Sequence, residues 1–296
     1  MPVYENKYKI RAWAAQKGLF RLLAFSRFTY LQLKDKKPVQ TFFIMSWAPF
    51  IITLGLIYLT INVKILDKFG IPLKALPQIN AKFFKYYLFW QMPFVLFFTM
   101  VIGPPLIAND IRHKALPMIL SKPISRAEYI LGKFLILFIL LSMVTWMQGV
   151  LLFIATTAAM PGESNWLQFF WSETIWILPR IFIFSLIVII TMNLLALCFS
   201  SLTNNHRFAG VGLIMFIIGS MVVAGMASQI FHMNILKSLS PVFSITNIAE
   251  FMFYTASVSY RSGNQLVVSV VYLLLLWGVS LLVLFSRVRA FSVFRE

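Results

Sequence analysis

The sequence is short of charge, and shortest of acid. Nine Asp and Glu face 26 Lys and Arg in 296 residues, and charged side chains make up 12% of the chain. Soluble domains carry about twice that share, so an ordinary soluble domain is excluded. Cysteine is nearly missing. Cys198 stands alone in an apolar run, which rules out a disulfide framework within the chain and reads as a small buried hydrophobe. No G-x-x-x-x-G-K-[ST] phosphate loop occurs, so that kind of ATP site is absent. His113, His206 and His232 are scattered and form no H-E-x-x-H pair, and no nucleophile–base arrangement is legible. Catalytic, metal-binding and cofactor-binding residues are therefore not expected in this chain.

What the sequence has is apolar length. Hydrophobic residues make up 60%, phenylalanine alone numbers 30, and the mean hydropathy is +0.83. Six charge-free stretches, 38–63, 86–109, 134–162, 181–205, 208–231 and 262–286, are long enough to cross a bilayer, which takes about 20 residues. They predict an all-α, multi-pass membrane protein with spans near 41–62, 87–108, 131–158, 181–202, 208–230 and 264–285. Spans four and five are joined by a short turn, 202–207. The first apolar run starts too late and is too long for a cleavable leader.

The basic residues orient the chain. Eighteen of the 26 fall on one side if the N-terminus is cytoplasmic, which predicts both termini inside. Lys64, Lys68, Lys74, Lys82 and Lys85, in the first outer loop, run against that bias. Because the cations gather beside the apolar runs, the partner they imply is lipid phosphate and not nucleic acid.

Residues 1–37 form a cytoplasmic N-terminal segment, followed by a transmembrane domain over 38–296. Within 11–37, Leu19, Phe20, Leu22, Leu23, Phe28 and Leu31 supply apolar surface and Lys17, Arg21 and Arg27 supply charge, the pattern of an interfacial helix. Simple anchoring is an equal reading. Trp166, Trp171 and Trp176 before span four suit the headgroup level. The outer segment 231–263 contains PVFSITNIAEFMFYTA (241–256), too short to span, and reads as an interfacial or re-entrant helix, or a lid for the bundle. Gln148 and Asn193 are polar residues inside spans, suited to helix–helix hydrogen bonds or to substrate contact. Gly210, Gly212, Gly219 and Gly225 allow close approach in the fifth span, within one subunit or between two.

The stretch ANDIRHKALPMILSKPISRAEYILGKF (108–134), between spans two and three, is the most polar connection. Asn109 or Asp110 is placed to cap a short helix, and Asp110 and Lys114 are spaced to pair on one face. Pro117 is expected to disturb that helix and Lys122-Pro123 to end it. Ser125 and Glu128 have the capping-box spacing that starts a new helix. Lys133, one turn further on, is expected to snorkel toward the surface.

SKPISRAEYILGK (121–133) resembles the region between the second and third spans of ABC-2 type transporter permeases. Asp110 matches that family's acidic residue, Pro123, Ile124, Ser125 and Arg126 its P-[IVL]-S-R signature, and Gly132-Lys133 its Gly-Lys pair. Lys114-Ala115-Leu116 stands where Gly-Thr-Leu is common, a departure. The topology of N-terminal amphipathic helix, six spans and an outer hairpin region after span five extends the likeness over nearly the whole chain.

The resemblance implies a permease subunit of an exporter in the cell (inner or plasma) membrane. It implies a second permease subunit, a homodimer before a heterodimer, and two cytoplasmic ABC ATPase subunits that hold ATP and Mg. It also leaves room for an extracellular accessory protein. The coupling segment, 109–128, would meet the ATPases through Asp110, Arg112, His113, Lys114, Leu116, Ile119 and Leu120, with Pro123, Ser125, Arg126 and Glu128 forming the turn after it. Two other functions stay open. One is a membrane subunit that passes an ATPase cycle to an extracellular partner without moving cargo. The other is an ion-coupled secondary transporter, which is disfavoured because no acidic residue falls inside the predicted spans. An intramembrane enzyme is weakened further by the missing carboxylate pairs.

Overall fold

The computed structural model describes residues 26–27, 29–31, 33, 35–61, 80–120, 125–158, 174–253 and 263–293. Among these the regular elements are all helices. In chain order they are α1 (Lys37–Met45), α2 (Ala48–Ile61), α3 (Ala81–Arg112), α4 (Ala115–Leu120), α5 (Arg126–Val144), α6 (Trp146–Ala158), α7 (Ile177–Leu202), α8 (His206–Ile230), α9 (Pro241–Phe253) and α10 (Gly263–Val293). Short 3-10 turns occupy Thr174–Trp176 and Asn234–Leu239.

Six candidate spans are long and apolar enough to cross a membrane: α1 with α2, α3, α5 with α6, α7, α8 and α10. In a bilayer each must be helical, because only a helix satisfies its own backbone there. Polar caps mark where several begin. Asn80 accepts from the Phe83 amide at 3.1 Å to start α3, and Asn205 accepts from the Arg207 amide at 3.2 Å to start α8.

The six are not equivalent. In α7, 72% of the most apolar window is buried, against 17% in the first and the last span. The bundle is therefore built around α7, with α3 running parallel along it. Glycine sets their distance: a Cβ at Gly103 would lie 2.5 Å from the Cβ of Ala196. Gly103→Ala is expected to destabilise the bundle by about 1–3 kcal/mol through overpacking. Gly219→Ala, where a Cβ would meet nothing within 4 Å, is expected to be close to neutral. Melting temperatures of the two variants in one detergent test this. Of the four fifth-span glycines, Gly210 sits against Met100 and Pro104 and Gly212 against Phe199, while Gly219 and Gly225 face open space.

A serine ties α3 to α7 just past two prolines. Pro104 and Pro105 lie inside this helix and cannot donate to the carbonyls of Met100 and Val101. One turn on, the Ser200 hydroxyl of α7 accepts from the Ile107 and Ala108 amides, both at 3.0 Å, and donates to the Pro104 carbonyl at 2.6 Å. The stitch fixes the turn after the prolines to α7.

The chain after α8 turns back into the bundle. Ser240 reaches Ser220, oxygen to oxygen 3.4 Å. Ser220 lies ten residues before the end of α8, about 15 Å along its axis. From there α9 climbs between its neighbours. Asn247 donates to Ser238 and Ser269 at 3.1 and 3.0 Å, Ser244 donates to the Ser238 carbonyl at 2.6 Å, and Phe253 meets Phe184 edge-on at 6.0 Å.

Candidate coupling site between the second and third spans

The second span ends differently from the sequence-based expectation. Asn109 and Asp110 do not cap a short helix; they form the last turn of α3, which runs through to Arg112. A two-residue turn follows, His113-Lys114, with Lys114 at φ 51°. This left-handed residue lies beyond the end of α3, outside the helical spacing that would set it over Asp110, and the Asp110–Lys114 pair does not form. Pro117 does not break the helix either. It lies in the first turn of α4, where a missing N–H costs nothing.

Asp110 pairs instead with Lys133, 23 residues further on. The Lys133 ammonium lies 2.9 Å from Asp110 Oδ2, and the Tyr129 hydroxyl donates to the same oxygen at 2.7 Å. Tyr129 is fully buried, the Lys133 side chain is 6% exposed and that of Asp110 20%. Lys133 thus does not snorkel to the surface; it closes an ion pair between the end of α3 and the second turn of α5. Its ammonium also lies 5.6 Å from the centre of the Tyr129 ring, within cation–π range. Asp110 therefore falls within the second spanning helix, and its charge is answered there by Lys133.

The start of α5 is locally determined. Ser125 accepts from the Glu128 amide at 3.2 Å, and Glu128 accepts from the Ser125 amide at 2.7 Å, a complete capping box. Arg126 is the first residue of α5 and is half-buried. Ser26 donates to the Gly132 carbonyl at 3.2 Å, one residue from Lys133. Ser26, Thr29 and Leu33, all buried, share one helical face. The end of the N-terminal segment thus rests on the same turn of α5 as the ion pair.

Around this clamp the candidate residues divide. Arg112, His113 and Lys114 are exposed at the turn. Leu116 is 1% exposed and turned inward, so it anchors α4 to the bundle and offers no surface. Ile119 is half-buried against the core, and Leu120 ends α4. Among the described side chains of α4, the large exposed one is Met118, 71% exposed; six residues are too few for a sequence pattern to reveal which face points out. Arg27 is exposed. Lys17, Arg21 and Pro123 lie outside the described residues, as do Trp166 and Trp171; Trp176 is exposed at the start of α7.

At the other end the same two spans are tied again. Gln148 of α6 accepts from Gln91 Nε2 of α3 at 2.6 Å and from the Tyr87 hydroxyl at 3.3 Å, and Gln91 also donates to Tyr87 at 2.8 Å. Gln91 was visible in the sequence as a polar residue in an apolar run, but its partner was not. Asn193 of α7 donates to the Phe134 carbonyl of α5 at 2.8 Å. Gln91 and Asp110 are 19 residues apart, about 28 Å of helix. The spans flanking α4 are therefore joined by side chains near both ends.

A family model described as ABC-2 family transporter protein matches residues 89–289. That is about two thirds of the sequence, and it takes in Gln91, the Asp110–Lys133 pair, α4 and the fold-back at α9. The chain belongs to the ABC-2 transporter family. No curated protein matches it. As an ABC-2 permease it is a multi-pass membrane protein and a permease subunit of an ABC transporter. Such permeases are typically non-catalytic and in general associate with ABC ATPase subunits. The short helix α4 lies in the chain between α3 and α5, the two helices that the Asp110–Lys133 pair joins.

Proposed function

We propose that this ABC-2 permease is the membrane half of an exporter in the cell (inner or plasma) membrane, with both termini cytoplasmic. Two copies pair with two cytoplasmic ATPase subunits, which supply ATP and Mg and the hydrolysis chemistry. The observation that carries the reading is the short helix α4, anchored by buried Leu116 and held between spans that the Asp110–Lys133 pair locks together. A push on α4 then moves α3 and α5 as one body and cannot be absorbed by bending between them. Closure of the ATPases on ATP supplies the push, and α3 carries it to α7 through the contacts at Gly103 and Ser200. An extracellular accessory partner would meet the opposite end, where α9 folds back.

The docking surface is the exposed one: His113, Lys114 and Met118. Purification of the tagged chain from its native membrane in mild detergent, followed by mass spectrometry, tests it. Wild type is expected to retain a phosphate-loop ATPase stoichiometrically. A Lys114→Glu, Met118→Glu double variant is expected to lose it by about tenfold or more, the scale of a hot-spot loss, without a change in melting temperature. Equal retention by the variant would remove α4 as the docking element. No ATPase in any of several detergents, with a folded protein, would overturn the reading.

A further inference from the structure

Three helices end together beside this site. Phe42 and Phe43 of α1 lie against Phe97 and Phe98 of α3, with ring centres 6.3 Å apart in both pairs. A Cβ at Gly210 of α8 would be 3.5 Å from Met100 and from Pro104 of the same helix α3. Followed toward their termini, the three helices reach the same end of the bundle. They carry Lys36, the residue before α1; Arg112, the last residue of α3; and His206-Arg207, the first two residues of α8. The His206 ring is within electrostatic reach of Arg207, Arg112 and Lys36.

These cations lack an answer within the chain. Lys36, Arg112 and Arg207 are exposed, and among the described residues none of them forms an ion pair. Asp110 is taken by Lys133 and Tyr129. Asp35, next to Lys36, is exposed and offsets one charge of the three. The positive end of the α8 dipole adds to the excess, and His206 Nδ1 is buried without a partner. Gathering like charges is unfavourable unless an anion joins them.

The first and fifth spans, which frame the cluster, present exposed apolar side chains: Ile44 and Met45 on α1, Phe208, Val211 and Met215 on α8. Cations at the ends of membrane-spanning helices above apolar walls match a phospholipid. An acidic protein surface would use the cations and leave the walls unused.

We propose that Lys36, Arg112, His206 and Arg207 bind the phosphate-bearing headgroup of an anionic phospholipid, whose acyl chains lie along the exposed faces of α1 and α8. This site goes beyond the transport reading and needs no ATPase to operate.

Native mass spectrometry and thermal melting of the delipidated full chain, with phosphatidylglycerol or phosphatidylcholine added at equal concentration, test it. Wild type is expected to retain phosphatidylglycerol preferentially and to melt higher with it. A basic residue near an anionic surface is worth about fivefold in binding, so a Lys36→Gln, Arg112→Gln, Arg207→Gln variant should lose about 100-fold of that preference. Each single variant should lose about fivefold, and Arg112→Lys almost nothing. If the triple variant does not fold, the singles decide. A Lys82→Gln, Lys237→Gln control, with basic residues at the far end, should keep the wild-type preference. Unchanged phosphatidylglycerol retention in the cluster variants overturns the proposal. So does equal protection by inorganic phosphate, which would make the ligand a soluble anion. Loss of a copurifying protein with lipid retention intact would assign the cations to an acidic partner and overturn it as well.

Discussion

Asp110→Ala is expected to destabilise the folded permease by about 3–5 kcal/mol, the cost of leaving a buried ammonium without its counter-charge. Lys133 cannot escape by snorkelling, because its side chain is 6% exposed and Tyr129 lies over it. Lys133→Met alone should cost less. It leaves Asp110, which is 20% exposed and still receives the Tyr129 hydroxyl at 2.7 Å. The double variant Asp110→Asn, Lys133→Met removes both charges, and the new amide oxygen can still accept from Tyr129. It should recover most of the lost stability, since an ion pair replaced by neutral groups of similar volume is often close to neutral. Thermal melting of the three variants in one lipid–detergent mixture gives the comparison. A double variant no more stable than Asp110→Ala would show that the pair stabilises by more than charge compensation. If the double variant folds but the attached ATPase no longer drives it, the ion pair serves transmission as well as stability.

Ser200→Ala is the second large effect, expected to cost about 2–4 kcal/mol. Side-chain hydrogen bonds between membrane helices average nearer 0.6 kcal/mol, because separated helices find other partners. Ser200 should exceed that average for a physical reason. Its hydroxyl serves three backbone groups at once, at 2.6, 3.0 and 3.0 Å, one turn beyond two prolines. Those groups belong to buried residues beside Gly103. Ser286→Ala, whose exposed hydroxyl turns back on its own helix, is the matched control and should melt like wild type. A Ser200→Ala protein melting with that control would mean that α3 satisfies this turn unaided.

The sequence revealed features that depend on neighbours a few residues apart. The capping box is one: Ser125 and Glu128 are three positions apart, and both its hydrogen bonds close within that interval. The partner of Asp110 is the opposite case. Local spacing offered Lys114, but α3 stopped at Arg112 and left Lys114, in the left-handed region, outside the helix. The true partner came from the next helix, which no periodicity announces. Leu116, expected at the surface, is buried and Met118 is exposed for a related reason. Both are apolar, and only the docking of α4 decides which one is buried. Gln148 and Asn193 stood out as polar residues in apolar runs, yet Gln91, Tyr87 and the Phe134 carbonyl had to be found in space.

By itself, then, the sequence determined six membrane helices and the caps that start some of them. A run of about 20 apolar residues in lipid has no other way to satisfy its backbone, and a cap needs only its own turn. Tertiary structure alone decided that α7 is central, that Ser200 ties α3 to α7 past its prolines, that Asp110 belongs to Lys133, and that the chain before α9 folds back to the depth of Ser220. The spans are apolar on every side, so hydrophobic patterning cannot tell a lipid-facing surface from a packed one. That choice falls to small residues such as Gly103 and to buried polar groups, and both act only once a second helix is beside them.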